Sequence, residues 1–233
     1  YADTSSQEIS GREADNLYTP LEPLAAIGAE IVYVGDVETK LLGDERDWDR
    51  IAVVKYPTRR SFIDMQQRKD FKEKHVHKEA GMQETIVMGC LPVDLPSTEI
   101  FETDSEEVLY PPSEDDGPIA VLHVLKFRPG AKMNETPQDM EKYQEKAAEV
   151  ALKNGLRISG WFGVEGTIVG DGRKWDQVRF NTFPSKAAFM EVVNDPNRLE
   201  AQKKHREKAI ADTYTLIVRT SVDNIAASTE ALG

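Results

Sequence analysis

Gly170-Asp171-Gly172-Arg173-Lys174-Trp175-Asp176 decides the fold, because Gly43-Asp44-Glu45-Arg46-Asp47-Trp48-Asp49 says nearly the same thing earlier in the chain. The two stretches lie about 127 residues apart, and a fixed offset is the signature of an internal repeat. Outward from them the echo runs without a gap. Gly28 falls on Gly155, Val37-Glu38 on Val164-Glu165, Pro57 on Pro184 and Phe62 on Phe189. Roughly ten of about thirty-five aligned positions are identical, too many in register for chance. With a one-residue shift, His77-Lys78-Glu79 meets His205-Arg206-Glu207. The chain reads as a tandem duplicate.

Each copy carries the same alternation of elements. Ile119 to Phe127 reads as a strand, and Met140, Tyr143, Ala147 and Val150 recur at helical spacing. Thr136-Pro137-Gln138-Asp139 has the form of a capping box, and Asn154-Gly155 that of a helix stop. Leu156–Val169 and Trp175–Phe183 then form a hairpin around the quoted turn. Ser185 caps a helix that Asp195-Pro196 ends, a basic helical stretch follows, and Asp212–Thr220 closes as a strand. In the first copy Glu30–Leu42 and Trp48–Tyr56 are the hairpin, Thr58 is the cap, and Gln83–Leu91 is the closing strand. The order β-α-β-β-α-β is that of the ferredoxin-like split β-α-β.

The expected fold is therefore α+β, with two tandem ferredoxin-like domains packed sheet to sheet as an intrachain α/β-barrel pseudo-dimer. The first domain spans residues 1–92, an acidic proline-rich linker 93–117, the second domain 118–222 and a tail 223–233. The linker reads as a solvated connector or, alternatively, as an acidic docking arm. The first copy lacks its opening strand, which lies upstream of Tyr1, is replaced by Ile100-Phe101-Glu102-Thr103, or leaves an edge open to another subunit. Tyr1 is not an initiator methionine, so something upstream has been removed or left out.

Composition narrows the partners. A net charge of −12 argues against nucleic acid and against an anionic membrane surface. No apolar run is long enough to span a bilayer, and no secretory segment opens the chain, so a cytoplasmic setting is expected. Cys90 is the only cysteine, which excludes an intrachain disulfide and multi-cysteine metal sites. His75 and His77 point apart on a helix, so no metal is expected, and no cofactor either. Haem through His123 or His205 is not specified by residue type alone. Small organic molecules and other proteins remain, with room for a homo-oligomer or larger assembly.

The motifs resemble the DUF1330 family of dimeric α/β-barrel proteins. Trp175-Asp176, Phe183-Pro184-Ser185 and Asn194-Asp195-Pro196 before a basic helix carry the likeness in the second copy. Trp48-Asp49, Tyr56-Pro57-Thr58 and His77-Lys78-Glu79-Ala80-Gly81-Met82 carry it in the first. Val121 to Gly130 is similar to the family's first strand, where asparagine is commoner at the place of His123. The resemblance implies the barrel fold. It also implies kinship with a superfamily of cofactor-independent monooxygenases, muconolactone-type isomerases and haem-dependent chlorite dismutase-like and peroxidase enzymes. No single reaction follows from it.

Residue chemistry supplies the candidate site. Strand alternation puts Trp175, Gln177, Arg179, Asn181 and Phe183 on one face, expected toward the space between the sheets, with Val178 and Phe180 toward the helices. Arg179 and Asn181 need partners there: a ligand's carboxylate or carbonyl, Glu165, or water. Trp175 and Phe183 supply an apolar wall, for packing or for stacking on an aromatic ligand. His123, in an otherwise apolar strand, is the candidate proton acceptor or a satisfied core histidine. His77 and His205 read as parts of solvated basic faces. No Ser-His-Asp signature or carboxylate pair stands out. The sequence leaves open whether the chain is an enzyme acting on a small organic acid or phenol, or a non-catalytic assembly subunit.

Overall fold

A computed structural model describes residues 20–94, 108–130 and 135–230 together with Glu13, Asn16 and Tyr18, with backbone alone at 77–80 and 230. The candidate strand Ile100–Thr103 and the His77 side chain lie outside the described residues. The elements in order are α1 Leu21–Ala26, β1 Glu30–Leu42, β2 Arg50–Lys55, α2 Arg59–Gln67, α3 Lys69–Gly81, β3 Val87–Pro92, β4 Ile119–Phe127, α4 Gln138–Lys153, β5 Arg157–Val169, β6 Gln177–Phe183, α5 Lys186–Asn194, α6 Pro196–Ala201, a π-helical turn Gln202–Arg206, α7 Glu207–Ala209, β7 Ile210–Asp223 and α8 Ile225–Glu230. The architecture is α+β with antiparallel strand pairing.

The chain forms two compact units that do not follow the sequence halves. The first comprises Tyr1–Asp36, Asp49–Ile86 and Ser221–Gly233; the second comprises Val37–Trp48 and Val87–Thr220. In the first unit β2 pairs with the opening half of β1, Glu30 opposite Lys55 and Asp36 opposite Arg50. Leu24, Ala29, Met65 and Phe71 form its core, with Val54 of β2 and Tyr56 just after it packed against them.

In the second unit the strand order is β1-β7-β4-β6-β5-β3. Its β7-β4-β6-β5 portion is the order that β-α-β-β-α-β produces. Helices close one face of it. Ile119, Val121, Phe183 and Ile217 of the sheet pack on Ala188, Phe189 and Val192 of α5. Leu125 and Phe127 pack on Met140 and Tyr143 of α4 and on Ala201 and Ala209.

The face assignment read from sequence is thus reversed. Phe183, and with it Asn181, Arg179 and Gln177 by alternation, belongs to the helix side, whereas Val178 and Phe180 belong to the opposite face. Alternation fixes which residues share a face but not which face meets the helices. Hydrophobicity could not break the tie, because Val178 and Phe180 are as buried (7% and 1% exposed) as Gln177 and Arg179 (4% and 3%).

The helix starts follow their residues. Thr58 and Ser185 cap α2 and α5 alike, their hydroxyls accepting from the Ser61 and Ala188 N–H groups, both at 3.0 Å. Thr136 does not cap α4, contrary to the capping-box reading; Pro137 takes the N-cap place without a side-chain bond, and Thr136 turns to Gln177. The end of the linker is docked on the second unit rather than solvated. Asp116 accepts from the Lys186 and Ala187 N–H groups at 2.8 and 2.9 Å, and Ser185 donates to the Tyr110 carbonyl at 2.9 Å.

The two quoted turns meet inside the second unit. Asp44 and Asp171 accept from the N–H of Arg46 and Arg173, each at 3.1 Å, and each carboxylate also binds that arginine's guanidinium. The arginines then cross over. Arg46 reaches Asp171, and Arg173 reaches Asp44 at 3.0 Å. The Tyr214 hydroxyl donates to Asp44 at 2.7 Å and accepts from Arg173 at 2.6 Å and Arg46 at 3.1 Å. Trp48 and Trp175 flank the Tyr214 ring at 5.7 and 5.5 Å between centroids. Hydrogen bonds from the arginines hold both carboxyls well below their usual range.

Candidate functional site

β4 lies between β6 and β7, so its residues 120–125 each have two cross-strand neighbours. His123 stands opposite Arg179 on one side and Thr215 on the other. All three face the helix layer. Its Nδ1 lies 3.2 Å from the Thr215 hydroxyl. Burial comes first and the charges of Arg206, Arg179 and Arg198 second in lowering the His123 pKa to about 3. At neutral pH the imidazole is therefore uncharged.

Arg179 is 3% exposed. Its Nε donates to Gln177 Oε1 at 3.0 Å, a second N–H donates to the same oxygen, and Nη1 donates to Gln144 Oε1 of α4 at 2.8 Å. The guanidinium also lies 4.3 Å above the Trp161 ring. Amides and an indole face have replaced the carboxylate that ordinarily accompanies a buried arginine. Burial, then repulsion from Arg206, brings the Arg179 pKa down to about 9.

Arg206 arrives by a local irregularity. Asp195 accepts from the Arg198 N–H at 2.8 Å and Pro196 occupies the first turn, so α6 starts where the sequence predicts. The helix then widens into the π turn. Ala201 and Ala209 both face the core, and unbroken α-helical spacing would put residue 205 between them. The extra residue instead makes Arg206 the buried one, at 8% exposure. His205 is left part-buried, its Nδ1 2.8 Å from Asp139 of α4. The solvated-face reading of this stretch is corrected accordingly. A π turn has no sequence signature, which is why Arg206 was missed.

Tyr143 lies between two of these arginines, with the Arg198 and Arg206 guanidiniums each 5.9 Å from its ring centroid. Arg198 donates to the Tyr143 hydroxyl at 3.2 Å and to the Val193 carbonyl at 3.0 Å; Arg206 donates to the Thr213 hydroxyl at 3.4 Å. Among the described residues no carboxylate forms an ion pair with Arg179, Arg198 or Arg206. Three cations thus stand together in a chain whose net charge is −12.

A cavity of about 410 Å³ is lined by Pro92, Val93, Asp94, Thr136, Trp161 and Gln177, and two of these, Trp161 and Gln177, contact Arg179. Gln177 Nε2 donates to Thr136 Oγ1 at 3.2 Å, leaving Gln177 bridging the cavity wall and Arg179. Among the described residues the Trp161 Nε1–H and the Asn181 Oδ1 are buried without hydrogen-bond partners. Such orphans are rare and costly in folded proteins. The arrangement offers an aromatic and amide-lined space with Asp94 as the charged residue of its lining, the Arg179 guanidinium held against its Trp161 and Gln177 wall, and an unused N–H donor.

The residues expected at the site part company. His123 and Arg179 come together, and Asn181 follows two positions along β6. Phe183 is a core residue against Phe189, 5.1 Å between centroids. Trp175 and the exposed Glu165 line a different cavity, of about 640 Å³, with Arg173 and Lys174. That cavity is larger; Arg173 there is already paired with Asp171, Asp44 and Asp212, while the buried Trp175 Nε1–H, like that of Trp161, has no hydrogen-bond partner among the described residues. Glu165 is not a partner of Arg179. Gln144, Trp161, Arg198 and Arg206 were not picked out from the sequence as site residues, and Thr136 was read only as a cap; Gln177 was grouped with Arg179 but given no role.

Burial pushes the Cys90 thiol up to about 12, so it is not a nucleophile at neutral pH. Among the described residues no group of three His, Cys, Asp or Glu side chains could hold a metal, and no helix is long and apolar enough to cross a membrane.

No family model matches the chain, and no curated protein matches it. Among solved structures it is similar to a protein of unknown function from Rhodopseudomonas palustris, with 30% identity over 45% of this chain and 85% of that one, at a TM-score of 0.40. It is also similar to a protein of Fusobacterium nucleatum provisionally named a monooxygenase, with 11% identity over 90% of this chain and 83% of that one, at a TM-score of 0.45. A protein from Lactobacillus acidophilus with the same provisional name shows 10% identity over 91% and 89%, at 0.42.

Proposed function

We propose that this chain binds a small organic acid or phenol as its anion, at the helix-side cavity of the second unit, and acts on it by isomerisation or cofactor-independent oxidation. The observation that carries the reading is the group Arg179, Arg198 and Arg206, buried or part-buried together with no carboxylate paired to them among the described residues. A guanidinium left unpaired in a protein interior is unfavourable by several kcal/mol, and an arriving anion relieves that cost. Arg179 holds the acidic group, the Trp161 N–H serves a second oxygen, and His123 is the proton acceptor. The imidazole is uncharged and so able to accept a proton. Burial first and the arginines second make it a poor base in the empty site, and a seated anion offsets the arginines' share.

The matched turns, the matched caps of α2 and α5, and the matched positive φ of Gly28 (72°) and Gly155 (77°) support a tandem duplication as the origin of the chain. Only the second copy carries the histidine and the buried arginine, so the site is asymmetric.

His123→Ala tests the catalytic part. It abolishes turnover of a carboxylate or phenol substrate, or weakens ligand binding, while leaving the melting temperature near that of the parent. A variant that simply unfolds makes His123 a core residue and ends its role as base.

The second reading is a non-catalytic assembly subunit. It is favoured by β3 ending the strand order of the second unit and by the exposed Leu91, Ile168 and Val169 on β3 and its neighbour β5. Light scattering under native conditions decides it: a stable large assembly that binds no acid supports this alternative.

A further inference from the structure

Arg206 is the least satisfied charge in the second unit. A guanidinium has five N–H donors, yet this one, 8% exposed, makes a single hydrogen bond among the described residues, to the Thr213 hydroxyl at 3.4 Å. Its remaining neighbours are the Tyr143 ring and, across that ring, Arg198. Among the described residues no carboxylate forms an ion pair with Arg206: Asp139 is bonded to His205, and the exposed Glu207 favours the cation through its charge without pairing with it. The backbone meanwhile adopts a π turn that brings Arg206, rather than His205, into the interior. π turns are rare and concentrate at functional sites. Arg206 also repels the Arg179 guanidinium, so each of the two cations gains from an anion placed between or beside them.

We propose that the ligand carries two acidic groups, the first taken by Arg179 and the second by Arg206. The inference rests on the acid-binding reading of the cavity and narrows it to a class, dicarboxylates or acids bearing a comparable second anionic group. A ligand with one negative charge compensates one arginine and leaves the other buried and unpaired. A second acidic group settles both, and its oxygens can take two guanidinium N–H donors at once. Arg206 is then a specificity residue: it separates dianions from monoanions rather than performing chemistry.

The test is calorimetric titration of the intact chain with a series of dicarboxylates from succinate to adipate, each against the monocarboxylate of equal carbon number. The series varies the spacing of the two acidic groups. At least one dicarboxylate should bind ten-fold or more tightly than its monocarboxylate. Arg206→Met should erase that preference while keeping monocarboxylate binding, and Arg206→Lys should retain part of it. Arg60→Met, at an arginine on the surface of the first unit with its side chain 82% exposed, should leave the preference intact. Equal binding of every matched pair, or a preference that survives Arg206→Met, overturns the inference while acid binding stands. No binding of any member by a folded protein removes the acid-binding reading itself.

Discussion

His123 and Arg179 face each other across β4 and β6, and the arginine's charge adds to burial and to Arg206 in lowering the histidine's pKa. The folded pKa of His123 is about 3, against an ordinary value near 6.5. Between those limits the unfolded chain binds a proton that the folded chain does not, so stability is full above about pH 6.5 and falls as the pH drops toward 3. His123→Gln should flatten the decline of melting temperature between about pH 6.5 and 4; an unchanged slope would place the acid sensitivity elsewhere. Asp44 and Asp171, whose pKa values are lowered, add to the decline only below about pH 4. At this scale His123, Arg179 and Asn181 were legible because polar side chains interrupt apolar strands. Gln144 and Trp161 were not, since each reaches Arg179 from an element whose relative placement no local pattern encodes. The alternation that grouped Arg179 with Phe183 was right, and the side assigned to the group was wrong.

The paired turns make the strongest claims at the level of elements. Gly43 has φ of +146°, and a Cβ there would come within 2.3 Å of the Tyr214 ring. Gly43→Ala should therefore lower stability by about 1–3 kcal/mol in a denaturant titration. A neutral outcome would mean that Tyr214 can leave its place between the tryptophans. The crossed arginines are part-exposed, so screening limits their worth. A double-mutant cycle on Asp44→Asn and Arg173→Met should give a coupling of about 0.5–1 kcal/mol at low salt that shrinks in about 1 M salt. Element existence was largely legible: β1 and β4 run over the residues that their patterns predict, and Thr58 and Ser185 cap as read. The start of α4 was not, because the Thr136 hydroxyl serves a side chain 41 residues away. The π turn was invisible because its one-residue insertion lies in backbone geometry, not residue type.

For the chain as a whole, the repeat of the two turn motifs could be read from sequence but the compact units could not. Local patterns name strands, whereas pairing between strands far apart in sequence, such as β3 with β5, assigns them to units. The charge distribution also appears only in three dimensions: a chain of net charge −12 brings Arg179, Arg198 and Arg206 together without acidic partners among the described residues. The most direct measurement of whether that group is a ligand site is a thermal-shift titration of the parent and of Arg179→Met with dicarboxylates. The parent should gain roughly 5–10 °C at a ligand concentration about 100 times Kd. Arg179→Met should melt no lower than the parent without ligand, since it removes an uncompensated buried charge, and should show no shift with ligand. A variant that melts much lower than the parent yet responds to ligand as the parent does would make Arg179 a structural residue and contradict the account.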